Sequence, residues 1–189
     1  IILGYKREIA EGATIDVGVT YYMYPGGADN TDFFEPYVKI SGTAGPVGLT
    51  AGVAYAPQQQ ALGRWYRTGA EFGTGVPSDP GDKEDNIYVF GDAAAPISGT
   101  PFTLKAHIGY SDGNPGLGPN GTSVAPTGSY LDWALGIDTT WKNLTFGVLY
   151  VDTDIKSADR LPLLPNFGTV ATGASISDAA VVFSIGATF

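Results

Sequence analysis

An all-β, up-and-down antiparallel fold is predicted by three observations. The apolar residues recur with period two rather than 3.6, Gly, Thr, Val and Tyr fill the periodic runs, and short turns alternate with long connections along the whole chain. Helix signals are almost absent. The chain has 189 residues, the length of one domain. Charged residues make up only 15%, against roughly 25% in an ordinary soluble domain. A net charge of −9 argues against nucleic acid, which demands a basic face. The absence of cysteine excludes disulfides and thiolate metal sites. No apolar run approaches the roughly 18 residues of a helical membrane span.

Nine strands are expected, at residues 1–10, 13–24, 32–42, 47–56, 86–95, 102–111, 130–139, 144–155 and 178–189. The first ends at the turn 11–12. The second carries Ala13, Ile15, Val17, Val19, Tyr21 and Met23 on one face, and Thr14, Asp16, Gly18, Thr20 and Tyr22 on the other. The third places Lys39 opposite in character to its apolar neighbours. The fourth reads Val47, Leu49, Ala51, Val53, Tyr55 against Gly48, Thr50, Gly52, Ala54. The fifth contributes Asp92. The sixth sets Phe102, Leu104, Ala106, Ile108 and Tyr110 against Thr103, Lys105, His107 and Gly109. The seventh contributes Asp132 and Asp138, and the eighth has an apolar face of Leu144, Phe146, Val148 and Tyr150. The ninth alternates Val181, Phe183, Ile185, Ala187 and Phe189 with smaller or more polar residues.

The connections sort by length. Turns 11–12, 43–46, 96–101 and 140–143 hold two to six residues, whereas 25–31, 57–85, 112–129 and 156–177 hold seven to 29. In a meander this puts every tight turn at one end and every long loop at the other. Outer-membrane barrels of bacteria have this asymmetry, with short periplasmic turns and longer extracellular loops. Each rising strand meets a Tyr near the long-loop end, namely Tyr21, Tyr55, Tyr110 and Tyr150. That is how an aromatic girdle reads, because Tyr has an apolar body and a polar tip. Phe102, Trp141 and Phe189 are candidates for the opposite girdle. The small and polar face is then the lumen, lined by Asp16, Thr20, Lys39, Asp92, Lys105, His107, Asp132 and Asp138. A soluble barrel with its apolar face inward is the competing reading.

Counting back from the C-terminus, the first strand descends from the long-loop side. Nine is odd, whereas single-chain bacterial barrels usually have even counts. An odd number of further N-terminal strands is therefore expected, and residues 1–189 read as one barrel domain without them.

Several segments together resemble the TorF-type outer-membrane porin family of bacterial proteins: IDVGVTYYMYPGG, DFFEPYVKISG, FTLKAHIGYSDG, YLDWALGIDTTWKNLTFGVLYVDTDI and VVFSIGATF. The resemblance implies a Gram-negative outer-membrane barrel of about twelve strands, with ten as the alternative. It says little about 57–85, the segment that fits it least clearly. The closing segment also resembles the C-terminal strand signal read by the barrel assembly machinery. Phe189 matches the terminal position, Ile185 and Phe183 match apolar positions, and Ala187 is smaller than usual for its place.

The remaining features are weighed against simpler readings. His107 is the single histidine and shares a face with Lys105 and Ser111. A Ser/His/acid enzyme needs a marked nucleophile, and no motif marks one, so a lumenal histidine is preferred and no catalytic residue or organic cofactor is implied. The acidic run Asp79, Asp82, Glu84 and Asp85 offers oxygens for a divalent cation. It lacks the spacing of an EF-hand loop and reads first as a solvated segment. With Asp29, Asp32, Glu35 and Glu71 it would form an acidic outer rim that enriches cations. GLGPNG, 116–121, reads as a flexible loop, and LPLLP, 161–165, as a loop patch that packs locally. The expected function is passive passage of small polar solutes or ions. A non-conducting structural or adhesion barrel is the alternative. The expected partners are the lipid bilayer, lipopolysaccharide and, during biogenesis, the assembly machinery; the sequence leaves the oligomeric state open.

Overall fold

The computed structural model of the chain describes residues 1–26, 30–169 and 172–188. Nine strands form one antiparallel sheet: β1 Ile2–Ala10, β2 Ala13–Tyr22, β3 Phe33–Ala44, β4 Val47–Gln59, β5 Glu84–Pro96, β6 Phe102–Gly113, β7 Tyr130–Trp141, β8 Leu144–Thr153 and β9 Ala180–Ala187. Their order in space is their order in sequence. No described helix is long and apolar enough to cross a membrane.

Strand limits depart from the expected ones for local reasons. β2 stops two residues early because Asp32 Oδ1 accepts the Tyr24 amide at 2.9 Å, taking it out of the ladder. β4 runs past Ala56 and Pro57 to Gln59 through a register shift. There the Gln59 side-chain amide accepts from Phe34 N and donates to Phe34 O, both at 2.9 Å, in place of a backbone pair.

The register is staggered. One inward row runs Glu8, Thr14, Ser41, Thr50, Asp92, His107, Ala134, Val151 and Ala180 across all nine strands. It starts two residues from the short turn after β1 and finishes at the first residue of β9, at the long-loop end. Strands that tilt and slip in this way are a requirement of barrel geometry.

The nine described strands do not close into a barrel. β1 and β9 are the two edges, and no ladder joins them among the described residues. The reason is parity: in a nine-strand meander the first and last strands run the same way, so an antiparallel seam between them is unavailable.

Among the described residues no second layer covers either face of the sheet. The outward side chains stay exposed, among them Ile108 (60%), Leu135 (62%) and Phe183 (77%). The buried apolar residues instead gather at the long-loop end. Phe33, Ala56 and Leu62 form one cluster with Ala61 and Val124, and Tyr66, Leu117 and Leu163 form another with Trp65, Phe72 and Phe167. The second cluster joins three different connections, those after β4, β6 and β8. Two short helices stiffen them, α1 Gly69–Thr74 and α2 Ser157–Arg160. Thr68 caps α1 by accepting the Glu71 amide at 3.1 Å, and Gly75 ends it in the left-handed region at φ 72°.

Candidate functional site

The eight residues expected to line the lumen all share the inward face, because each stands at an even offset from its neighbours along a strand and opposite an inward partner across the ladder. The pairs Asp16↔Lys39, Asp92↔His107, Gly109↔Asp132 and Thr103↔Asp138 fix the register, with Thr20 opposite Glu35 and Lys105 opposite Ala94. Two ion pairs bridge adjacent strands. Lys39 Nζ lies 3.3 Å from Asp16 Oδ2, and Lys105 pairs with Asp138.

His107 is the hub of a larger cluster spanning β5, β6 and β7. Its Nδ1 lies 2.7 Å from Asp92 Oδ1 and its Nε2 3.1 Å from Asp132 Oδ1. The Tyr88 hydroxyl is 2.9 Å from Nε2 and 3.1 Å from each Asp132 oxygen. Ser111 donates instead to Asn86 Oδ1 at 3.0 Å. With the two lysines held by Asp16 and Asp138, the His107 cluster contains a surplus of carboxylate.

The inner wall also carries aromatic rings that the sequence reading did not single out. Phe90 stacks on Tyr88 with centroids 5.7 Å apart and on His107 at 6.1 Å. Tyr37 donates to Asp16 Oδ1 at 3.2 Å and lies under Lys39 Nζ, 4.6 Å from the ring centroid. These rings lie down because glycines face them. A Cβ on Gly52 would stand 2.6 Å from Phe90, and one on Gly18 2.7 Å from the Tyr37 hydroxyl. Each such ring has a glycine opposite it on the neighbouring strand, Gly18↔Tyr37 and Gly52↔Phe90.

On the outward face, three of the four expected girdle tyrosines are tied to acids at the long-loop side. Tyr21 donates to Asp32 at 3.0 Å, Tyr55 to Asp85 at 2.8 Å and Tyr150 to Asp152 at 2.8 Å. Tyr110 faces outward in register with Val89 and Leu131. At the opposite end Phe102 and Trp141 are exposed, and Lys142 Nζ lies 4.8 Å over the Trp141 ring. Phe183 and Ile185 are exposed on the outward face, in register with Val148 and Phe146. Phe189 and Asp29 lie outside the described residues.

The acidic run does not converge. Asp79 meets Arg67 at 3.3 Å, Asp82 accepts the Arg64 amide at 2.8 Å, Glu84 accepts from Asn114 at 2.8 Å, and Asp85 takes the Tyr55 hydroxyl. Among the described residues there is no group of three or more His, Cys, Asp or Glu placed to hold a metal ion. GLGPNG packs against the connection after β4. Leu117 is almost fully buried and exchanges backbone hydrogen bonds with Tyr66 at 2.9 and 2.8 Å. Leu163 of LPLLP is buried in the same cluster, as local packing predicts.

Glu71 pins the loop around α1. Its carboxylate accepts the Ser78 and Arg67 amides, each at 2.8 Å. Hydrogen bonds from Ser78, then from the Arg67 backbone, hold this carboxyl below its ordinary range. A depressed folded-state value means the contribution is present above the ordinary carboxylate pKa and is lost as pH falls through the lower value. The protection of the Arg67 and Ser78 amides against hydrogen exchange, taken relative to the intrinsic rate at each pH, is therefore expected to fall on acidification through the acidic range. In Glu71→Gln that pH dependence disappears; its persistence would show that another group pins the loop.

No curated protein and no solved structure matches the chain. The family match carries no link to TorF-type proteins or to porins; the family model described as a bacterial protein of unknown function (Gcw_chp) matches residues 1–189, and the chain belongs to that family.

Proposed function

We propose that the chain forms the wall of a bacterial outer-membrane β-barrel through which small polar solutes or ions pass. The observation that carries this reading is the inverted polarity of the sheet. Its outward face is largely apolar, with Arg7 near the short-turn end of β1, and has no covering layer among the described residues, while its inward face holds ion pairs, a histidine and carboxylates. Soluble monomers rarely expose apolar patches beyond a few hundred Å². In hydrocarbon, by contrast, such a face is at its lowest free energy. The staggered register supports closure, and the grouping of Tyr21, Tyr55 and Tyr150 with acids at one end supports an interfacial belt there.

In this arrangement the long loops are extracellular and meet lipopolysaccharide, the short turns are periplasmic, and Phe183 and Ile185 belong to the strand read by the assembly machinery. Lipid tolerates no open sheet edge. An odd number of further strands between β9 and β1 restores an antiparallel seam, giving ten or twelve strands. A barrel of that size lies between the side-chain-filled eight-strand type and the open porins, so the passage is narrow.

The packed cap of long loops favours a second reading, a non-conducting barrel that presents a firm extracellular surface for structure or adhesion. Planar bilayers separate the two. Protein refolded in detergent and added to a bilayer is expected to give discrete conductance steps in KCl. A folded, detergent-dependent preparation with no steps would leave the structural reading standing. Monodisperse folded protein in plain buffer would remove both.

A further inference from the structure

We propose that His107 is a proton-operated cover for Asp132 on the inner wall, and that it thereby sets the wall's ion preference. The second clause rests on the channel reading above; the first rests on geometry alone.

Carboxylates only accept. A ring carrying both protons therefore donates from Nδ1 to Asp92 Oδ1 at 2.7 Å and from Nε2 to Asp132 Oδ1 at 3.1 Å. The Tyr88 hydroxyl has one proton and a choice of acceptors, the two Asp132 oxygens at 3.1 Å or Nε2 at 2.9 Å. While Nε2 is protonated, the phenol donates to Asp132, and that carboxylate has two donors. When Nε2 releases its proton to solvent, its lone pair faces a carboxylate oxygen and repels it. The phenol then turns its proton to Nε2, and Nδ1–H stays on Asp92. Asp132 loses both donors in one step. The wall gains one negative charge and an uncovered carboxylate together.

The surrounding charges do not offset this change. On the same strand Lys105 is held by Asp138, and on β3 Lys39 is held by Asp16. β4 brings Thr50 and Gly52 alongside, which carry no charge. β7 adds Tyr130 nearer the loops. Asp178, ahead of β9, lines the same cavity of about 470 Å³ as Asp92, His107 and Asp132, and its cation, Arg160, is 3.7 Å away. The groups added by β5 and by the segment before β9 are thus acids or a phenol, and an extra negative charge among them favours cations.

The chain has one histidine, so its ring can be read without interference. In protein labelled with ¹⁵N-histidine and refolded in detergent, both ring nitrogens are expected to be protonated at acidic pH. One transition should lead to the Nδ1–H tautomer as pH rises. In bilayers the cation-to-anion permeability ratio, from reversal potentials in a KCl gradient, should rise with the same midpoint by about threefold or more. His107→Gln should remove that pH dependence of the ratio. Asp132→Asn should keep the ring transition but lose the rise. An Nε2–H tautomer after deprotonation, or a pH-dependent ratio that survives in His107→Gln, overturns the proposal. A ring transition in protein that never conducts removes the channel reading and supports the cover.

Discussion

Ile108→Arg is expected to lower folding stability in phospholipid vesicles by about 2–4 kcal/mol, the depth-dependent cost of a cation on the lipid face near mid-strand. That corresponds to a roughly 30- to 1,000-fold fall in the folded-to-unfolded ratio. Ile108 sits in the middle of β6, points outward, and lies in register between Gly91 and Trp133. From there an arginine stem has no short route to an interface. Ala94→Glu on the inward face is the matched control. It places a carboxylate opposite Lys105, and should change stability by less than about 1 kcal/mol. Urea unfolding followed by tryptophan fluorescence reads both. If the outward face met water, Ile108→Arg would fall within about 0.5 kcal/mol of the parent, and the lipid-facing assignment would fail.

The two sites can be chosen because alternation in this sequence reports sides so plainly. A strand has period two, so every inward residue from Asp16 to Asp138 could be assigned by counting from a neighbour, and one apolar face per strand fixed the phase. The Tyr placements followed from the same count. Closure could not be read this way. It depends on what pairs with the free edges of β1 and β9, and alternation within a strand carries no information about its neighbours. The inward aromatics were hidden for a related reason. Tyr37 and Phe90 look out of place on a polar face until the facing glycines are matched across the ladder, and matching needs a register that only the structure supplies.

The long connections were the least legible part. Their apolar residues follow no period, so Leu62, Tyr66, Leu117 and Leu163 read as scattered loop residues, although they build two clusters at the long-loop end. α1 has only six residues and α2 four, too few to show a helical repeat and too short to be stable alone. Contacts between connections hold them, not propensity. The pairings of the acidic segment were hidden for the same reason. Its charges suggested a solvated rim, yet Asp82 and Glu84 hold the Arg64 amide and Asn114.

Gly69→Val is expected to unlatch this cap while leaving the sheet folded. A Cβ at Gly69 would stand 2.6 Å from the Leu164 carbonyl carbon and 2.7 Å from Leu163 O. Those are backbone atoms of the connection after β8, and they cannot rotate aside as a side-chain tip can. Overpacking commonly costs about 1–3 kcal/mol, and here the strain falls on a contact that joins two connections. Local opening is the cheaper release, because the sheet's own ladders do not pass through Gly69. Trypsin then gains access to Arg64 and Arg67. Cleavage there should accelerate by tenfold or more, since the open population rises with the strain free energy when reclosing is fast. Gly73→Ala is the control, because a Cβ at Gly73 meets nothing within 4 Å. It should leave cleavage unchanged. If the cap constricts the mouth, Gly69→Val also raises single-channel conductance. Faster cleavage with unaltered conductance would place the cap beside the passage, not across it. Unaltered cleavage would mean that the three connections do not depend on the Gly69–Leu164 contact.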